Sequence, residues 1–160
     1  PMDPALRPTE ANKADPSSIL EVEIPMRALE RHTPSAYALL RIVAGFCFAF
    51  HGAQKVFGLF SEAKPALLSQ IGFGGVIELV TGLAVMLGWQ TRWAAFLASG
   101  TMAVAYTQFH WKFQLGRGLF PAVNEGELAL LYAFCFLFIA CQGGGKAALD
   151  EPTLPSRNPS

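Results

Sequence analysis

Four long apolar segments, nearly free of charge, limit what this 160-residue chain can fold into. They cover residues 37–57, 71–89, 93–109 and 127–141. A helix that crosses the hydrocarbon core of a bilayer needs about 20 apolar residues, within a range of about 17–25. The segments are therefore predicted to be membrane-spanning helices, and the last and shortest reaches the interface only with its flanking residues.

The alternative fold is a very hydrophobic helical bundle in water, which would show polar stripes at the helical period. The third and fourth segments carry almost no such stripes. The chain is 52% hydrophobic and only 15% charged, whereas a soluble domain has about 25% charged residues. We therefore predict an all-α protein, a four-transmembrane-helix bundle whose surroundings are a lipid bilayer.

Charge is concentrated at the N-terminal end, where residues 1–34 hold ten of the 24 charged side chains. We predict a polar N-terminal arm over residues 1–34, with no membrane pass over 1–30 and room for a short interfacial helix. The transmembrane domain covers residues 35–142, and a Gly/Pro-rich tail covers residues 143–160. A net charge of zero gives no basic field for nucleic acid. The three cysteines lack the spacing of a disulfide framework or a metal site.

Charged residues inside the apolar segments need an explanation, because an ionisable group in a membrane is costly and normally faces a partner. Arg41, His51 and Lys55 fall on one side of the first predicted helix at 3.6 residues per turn. Glu78 is the acid in the middle of the second segment. Antiparallel helices should place it at a depth between Arg41 and His51, so we predict that it faces the interior within hydrogen-bond range of one of these three residues.

Polar residues near the helix ends are weaker candidates. Gln54 is expected to form hydrogen bonds at the end of the first helix. Asn124, Glu125 and Glu127 are expected to begin the fourth helix, where acidic side chains suit the helix dipole. Tyr132 lies within that helix, and its hydroxyl needs a hydrogen-bond partner if it is buried.

Three stretches, taken in order, resemble the DoxX family of small four-helix membrane proteins: LLRIVAGFCFAFHGAQKVFG at 39–58, GVIELVTGLAVMLGWQTRWAA at 75–95 and FPAVNEGELALLYAF at 120–134. The sequence GGGKAALD at 143–150 is similar to the family's Gly-rich, Asp-ended tail. The resemblance covers about residues 35–150. The family's polar pattern falls on Arg41, His51, Gln54, Lys55, Glu78, Arg92, Glu127 and Tyr132.

The resemblance implies an integral membrane protein of the bacterial inner membrane that is linked to redox or quinone metabolism. The family takes its name from a subunit of a thiosulfate:quinone oxidoreductase. We expect no intrinsic cofactor, and a quinone is the candidate carrier. The resemblance transfers no catalytic mechanism, so catalytic residues stay unassigned, and a non-catalytic subunit of a quinone-linked oxidoreductase is one outcome.

Three functions remain open at this stage. In the first, a redox-linked subunit binds a quinone or a similar lipid-soluble carrier beside Arg41, His51, Lys55 and Glu78. A neutral His and a Lys would donate hydrogen bonds to the carrier, and Glu78 would relay protons. In the second, a structural or assembly subunit uses an ion pair to lock two helices, and its N-terminal arm docks on a protein partner. The third is a small proton-linked transporter. A protein partner or a homo-oligomer is expected.

Overall fold

A computed structural model describes residues 28–60 and 65–150, and the regular secondary structure of these residues is entirely helical. The helices are α1 (Thr33–Phe57), α2 (Gln70–Leu87), α3 (Thr91–Ala105) and α4 (Glu127–Gln142). The chain after α3 continues as a π-helical turn (Tyr106–Trp111), and a 3-10 turn (Gly116–Leu119) precedes α4. The all-α prediction is confirmed, and α1 and α2 are long and apolar enough to cross a membrane.

The chain divides into two units, one ending at Thr33 and the other beginning at Pro34. In the first unit only residues 28–33 are described, and there the His32 N–H donates to the carbonyl of Leu29. The predictions for residues 1–27 and 151–160, including most of the N-terminal arm, lie outside the described residues. The second unit contains the four helix-forming segments and is described in the rest of this section.

Local signals set both ends of α2. The Ser69 hydroxyl accepts a hydrogen bond from Gly72 N at 3.1 Å, which is an N-cap. Gly88, with φ 72°, ends α2 in the left-handed conformation that glycine adopts without strain. α4 begins at Glu127, and Glu125 lies outside it with φ 59°. The expectation that Asn124 and Glu125 begin this helix is therefore wrong.

Glycines bring the backbones of α1 and α2 into direct contact. A Cβ at Gly52 would lie 2.2 Å from the amide nitrogen of Leu79, and one at Gly82 would lie 2.4 Å from that of Ala49. Small residues that permit close approach are typical of helix contacts in membranes. This contact fixes the antiparallel register of the two helices.

The register corrects the predicted depth of Glu78. Because Gly52 lies against Leu79, Glu78 is level with Ala53. It is therefore beyond His51 in the direction of Lys55, and not between Arg41 and His51 as helix length alone suggested. The register depends on the length of the α1–α2 connection and on the positions of the glycines. The depth predicted from helix length took neither into account.

The core is built from aromatic and small side chains. Phe48 of α1 packs its ring 4.7 Å from Phe136 of α4. Between α3 and α4 the buried residues are mainly alanines, and the Ser99 hydroxyl donates to the carbonyl of Ala133 at 2.7 Å. The outward faces carry large apolar side chains, among them Phe46 and Leu131, which are more than half exposed. A surface of this kind suits lipid and not water.

Candidate functional site

One ion pair joins α1 to α2 in the interior. Lys55 Nζ lies 2.6 Å from Glu78 Oε1. Glu78 is only 2% exposed, and its second oxygen, Oε2, is buried with no hydrogen-bond partner among the described residues. A Cβ at Gly75 would lie 2.6 Å from the Cβ of Lys55, so this glycine makes room for the lysine side chain. The prediction that Glu78 faces inward and reaches a basic partner is confirmed for Lys55.

A cleft of about 590 Å³ lies between α2 and α3 beside this ion pair. Its polar lining includes Lys55, Glu78 and His110. Gly74 and Gly100 also line the cleft, and a Cβ at either position would meet no atom within 4 Å. Most of the remaining lining is apolar, including Ile71, Ile77, Phe96, Leu97, Val104 and Phe109.

A smaller cavity of about 220 Å³ adjoins the cleft. Lys55, Glu78, Ala105 and His110 line both spaces. The smaller cavity adds two further polar residues, His51 and Glu125. The ion pair and His110 therefore stand between an apolar cleft and a more polar cavity.

The π-helical turn after α3 carries His110. This turn contains the wide backbone hydrogen bond from Lys112 N to the carbonyl of Thr107, at 2.9 Å. His110 Nδ1 lies 3.2 Å from the carbonyl oxygen of Asn124, and the Asn124 amide donates to the carbonyl of Gly118 at 2.9 Å. These bonds fix the imidazole against the loop that precedes α4. Single π-helical turns occur frequently at functional sites.

Arg41 belongs to a different cluster. Its side chain is fully buried, and Nη1 donates to the carbonyls of Val85 and Met86 at 2.6 and 2.9 Å. Its Nη2 donates to the carbonyl of Ala147 at 2.7 Å. Val85 lies about two turns after Glu78 at 3.6 residues per turn. Arg41 thus donates to carbonyls at the C-terminal end of α2, of which that of Val85 also accepts from the Gly88 N–H.

This placement corrects the expectation of one network formed by Arg41, His51, Lys55 and Glu78. Lys55 and Glu78 are paired, and His51 lines the adjoining cavity. Arg41 is held at the other end of α2 by backbone carbonyls. Helix-end carbonyls and a buried carboxylate both need hydrogen-bond donors. The sequence pattern alone does not show which of these two acceptors an arginine will reach.

The other predicted residues lie outside the linings of both cavities. Gln54 is half-buried on α1, and Glu127 is exposed in the first turn of α4. Tyr132 stacks on Phe136, with ring centroids 5.6 Å apart, and its ring lies 6.4 Å from that of His51. Arg92 donates to the last carbonyls of α4, those of Ala140, Cys141 and Gln142.

His110 and Glu125 are the site residues that the sequence did not single out as such. Glu125 was expected only as an acid at a helix end, and no role was predicted for His110. One signal was available, because His110 follows the third apolar segment and therefore lies at the same end of the antiparallel helices as Lys55. The cleft glycines gave no signal, since glycine is also common at helix contacts.

Comparisons with known proteins place this arrangement in context. A family model described as DoxX matches residues 36–111, which include Lys55, Glu78 and His110. A relative from Haemophilus influenzae, described as an uncharacterized protein, is 40% identical over 136 residues, covering 79% of this chain and 96% of the relative. No solved structure gives a significant match.

Proposed function

Because this chain belongs to the DoxX family of membrane proteins, we propose that it is a quinone-binding subunit of a membrane oxidoreductase in a bacterial inner membrane. The quinone binds in the cleft between α2 and α3, and the electron-transfer cofactor belongs to a partner protein. One observation carries the proposal. The buried carboxylate of Glu78, which has a partner on only one oxygen among the residues that the structure describes, lines a largely apolar cleft large enough for a small lipophilic molecule.

The proposal includes a four-transmembrane-helix bundle. α1 and α2 have the length and composition of membrane spans. α3 and the π-helical turn together give a third continuous segment, from Thr91 to Trp111. α4 is a shorter apolar helix, whose 16 residues cover about 24 Å at a rise of about 1.5 Å per residue. Its flanks would complete the crossing.

The chemistry of the cleft suits a quinone. Apolar side chains of α2 and α3 would contact the ring and its hydrocarbon tail. The ammonium of Lys55 can donate a hydrogen bond to a carbonyl oxygen of a quinone, and His110, whose Nδ1 faces the carbonyl of Asn124, can donate one from Nε2 when both ring nitrogens are protonated. The free oxygen of Glu78 can accept a hydrogen bond from a hydroxyl of the reduced form. Differential hydrogen bonding of this kind would make affinity depend on the redox state of the carrier.

Quinone titration of the purified protein in lipid nanodiscs tests the proposal. Gly100→Phe should fill the cleft and weaken the binding of a short-chain ubiquinone at least tenfold, which corresponds to about 1.4 kcal/mol. Ala103→Phe is the matched control, because Ala103 is exposed on the same helix and lines neither cavity. Unchanged affinity in Gly100→Phe, with the protein folded, would show that quinone does not occupy the cleft.

A structural or assembly subunit is the second candidate, and the contact between Lys55 and Glu78 favours it. An ion pair at 2.6 Å holds α1 to α2 whether or not a ligand is bound. In this case neither the wild type nor Glu78→Gln would bind quinone, and Glu78→Gln would only lower stability. The same titration therefore separates the two functions.

A further inference from the structure

We propose that the smaller cavity is a water-filled chamber through which Glu78 exchanges protons with the aqueous phase at the loop between α3 and α4. The chamber goes beyond the proposed function, because it depends on the geometry around Glu78 and not on what occupies the cleft. It makes His51, His110 and Glu125 part of a proton path, and their roles differ by position.

The size and lining of the chamber suit water. Its volume is about 220 Å³, and one water takes about 30 Å³ in the liquid. A buried water also needs two to four polar partners. His51 from α1, Glu78 from α2, His110 from the π-helical turn and Glu125 from the loop provide them, with Lys55 beside Glu78.

The inner end of the path is the free oxygen of Glu78. A buried carboxylate oxygen is costly unless it accepts a hydrogen bond, and Oε2 has no such bond to the described residues. Glu78 lines the chamber, and its exposed fraction is only 2%. Water in the chamber would donate to this oxygen and carry protons to it.

The outer end of the path is Glu125. This residue is exposed and also lines the chamber, so the chamber reaches the surface there. His110 lines both the chamber and the cleft. Nδ1 of His110 faces the carbonyl of Asn124, so Nε2 is the nitrogen that can accept a proton from water and release it again. A proton can therefore move from water near Glu125 through Nε2 of His110 to the carboxylate of Glu78, which becomes protonated and returns the proton by the same route.

Cysteine labelling tests whether water enters. The three free cysteines, Cys47, Cys135 and Cys141, are first replaced by alanine. Ala129→Cys, in the chamber lining, should react with a charged methanethiosulfonate at least tenfold faster than Ala133→Cys. The two alanines are a matched pair, 8% and 7% exposed and one turn apart on α4. Equal, slow reaction at both positions would overturn the proposal.

A second experiment tests whether the chamber leads to Glu78. A water-soluble carbodiimide adds to the Glu78 carboxyl, and the Lys55 amine then displaces the urea to form an amide, with a proton released from the ammonium. Mass spectrometry detects this crosslink, which we expect in the Ala129→Cys protein. Prior labelling of Cys at position 129 should suppress it at least fivefold, whereas Gly100→Phe, which fills the cleft, should not. A crosslink lost in Gly100→Phe and retained after labelling would overturn the proposal, because the reagent would then enter through the cleft.

These results are separable from those of the quinone titration. Fast labelling and a crosslink that labelling suppresses, in a protein that binds no quinone, would remove the proposed function and leave the chamber. Quinone binding in a protein whose position 129 is unreactive would remove the chamber and leave the proposed function.

Discussion

The carboxylate of Glu78 is the most constrained polar group of the interior. It is almost fully buried, and Lys55, which pairs with it, keeps about one third of its side chain exposed. Removing one partner of a buried ion pair leaves an uncompensated charge, whereas replacing both partners by apolar residues is often nearly neutral. The partial exposure of Lys55 makes the pair weaker than a fully buried one.

We expect Lys55→Met to destabilise the protein by about 1–3 kcal/mol, the usual cost of a buried group left unsatisfied. The double variant Lys55→Met, Glu78→Leu should recover most of this loss. Thermal unfolding of both variants in detergent, monitored by circular dichroism, is the measurement. If the double variant is no more stable than Lys55→Met alone, the pair does not act as a unit.

Arg41 should matter for stability and not for ligand binding. Hydrogen bonds to charged groups contribute about 1.5–3 kcal/mol each, and the Arg41 guanidinium binds three carbonyls. We expect Arg41→Met to cost about 2–4 kcal/mol and to leave quinone affinity unchanged in the protein that remains folded. Arg92→Met is the control, since Arg92 also binds helix-end carbonyls but is exposed, and should cost less than about 1 kcal/mol.

If Arg41→Met binds quinone more weakly at a temperature where it is fully folded, Arg41 does belong to the ligand site.

The sequence alone favoured Arg41 as a partner of Glu78 for a simple reason. The cost of a buried charge predicts that an interior acid will find a partner, and Glu78 does. The cost of a buried charge does not predict which basic residue pairs with Glu78. Arg41 and Lys55 lie on the same face of α1, and the register of α1 against α2 decides which of them reaches the acid.

Among the helices, the contact of α1 with α2 sets this register, and its glycines leave no space. We expect Gly52→Ala to destabilise the protein by about 1–3 kcal/mol, as overpacking does, because its Cβ would meet the backbone of Leu79. Gly74→Ala is the matched control on α2, where a Cβ meets nothing within 4 Å. It should be neutral or stabilising by about 0.5–1 kcal/mol, since alanine is the better helix former.

Thermal unfolding of the two alanine variants decides this point, and equal losses of stability would mean that the helices do not touch at Gly52. The same substitution should loosen the pairing of Lys55 with Glu78, because the helix contact and the ion pair share one interface. Gly52→Ala should therefore lower the free energy of unfolding more in the wild-type background than in the Lys55→Met background. The difference between the two losses measures the coupling.

The helices themselves were largely predictable, and their ends less so. Apolar length located all four segments. The third segment was expected to run to Phe109, whereas α3 ends at Ala105 and a π-helical turn follows. No local signal in YTQFHW separates a π-helical turn from an α-helix, because both use the same side chains. The position of His110 depends on that difference.

Across the whole chain, the segment after α4 ties distant parts together. The Asp150 N–H donates to the carbonyl of Gly88 at 2.7 Å, and the Leu149 N–H to that of Leu87 at 3.2 Å. Arg41 reaches Ala147, and the Tyr37 hydroxyl donates to the carbonyl of Gly143. The sequence predicted a Gly/Pro-rich tail over residues 143–160 and no contact between it and the helices. A Gly-rich segment gives no periodic pattern, so its docking was not visible.

Asp150 is the charged group of this docked segment. Its two carboxylate oxygens accept hydrogen bonds from the backbone N–H groups of Gln90 and Thr91, at 2.7 and 2.8 Å. Partial burial acts to raise the pKa of Asp150, but hydrogen bonds from Thr91 and Gln90 and the charge of Arg41 outweigh it, so the pKa lies below its ordinary value of 3.8. The folded state therefore favours the ionised carboxylate.

The sign of the pH dependence follows from that depressed pKa. The stability contributed by ionised Asp150 is fully present above the ordinary value of 3.8 and is lost as the pH falls through the lower, folded-state pKa. Asp150→Asn keeps the shape of the side chain but has one acceptor oxygen and no charge. We expect it to lower stability by about 0.5–1 kcal/mol at pH 7, comparable to the loss of a helix cap.

The measurement is thermal unfolding of the wild-type protein and of Asp150→Asn from pH 7 down to pH 2.5. The difference in Tm between them should stay constant down to about pH 4 and shrink below it, because protonation then removes from the wild type what the substitution has already removed. The contributions of the other acids are common to both proteins and largely cancel in the difference. A difference that is constant over the whole range would mean that Asp150 acts through its shape alone. A difference that grows in acid would contradict the depressed pKa, and with it the inference that the carboxylate charge holds the C-terminal segment against the turn between α2 and α3.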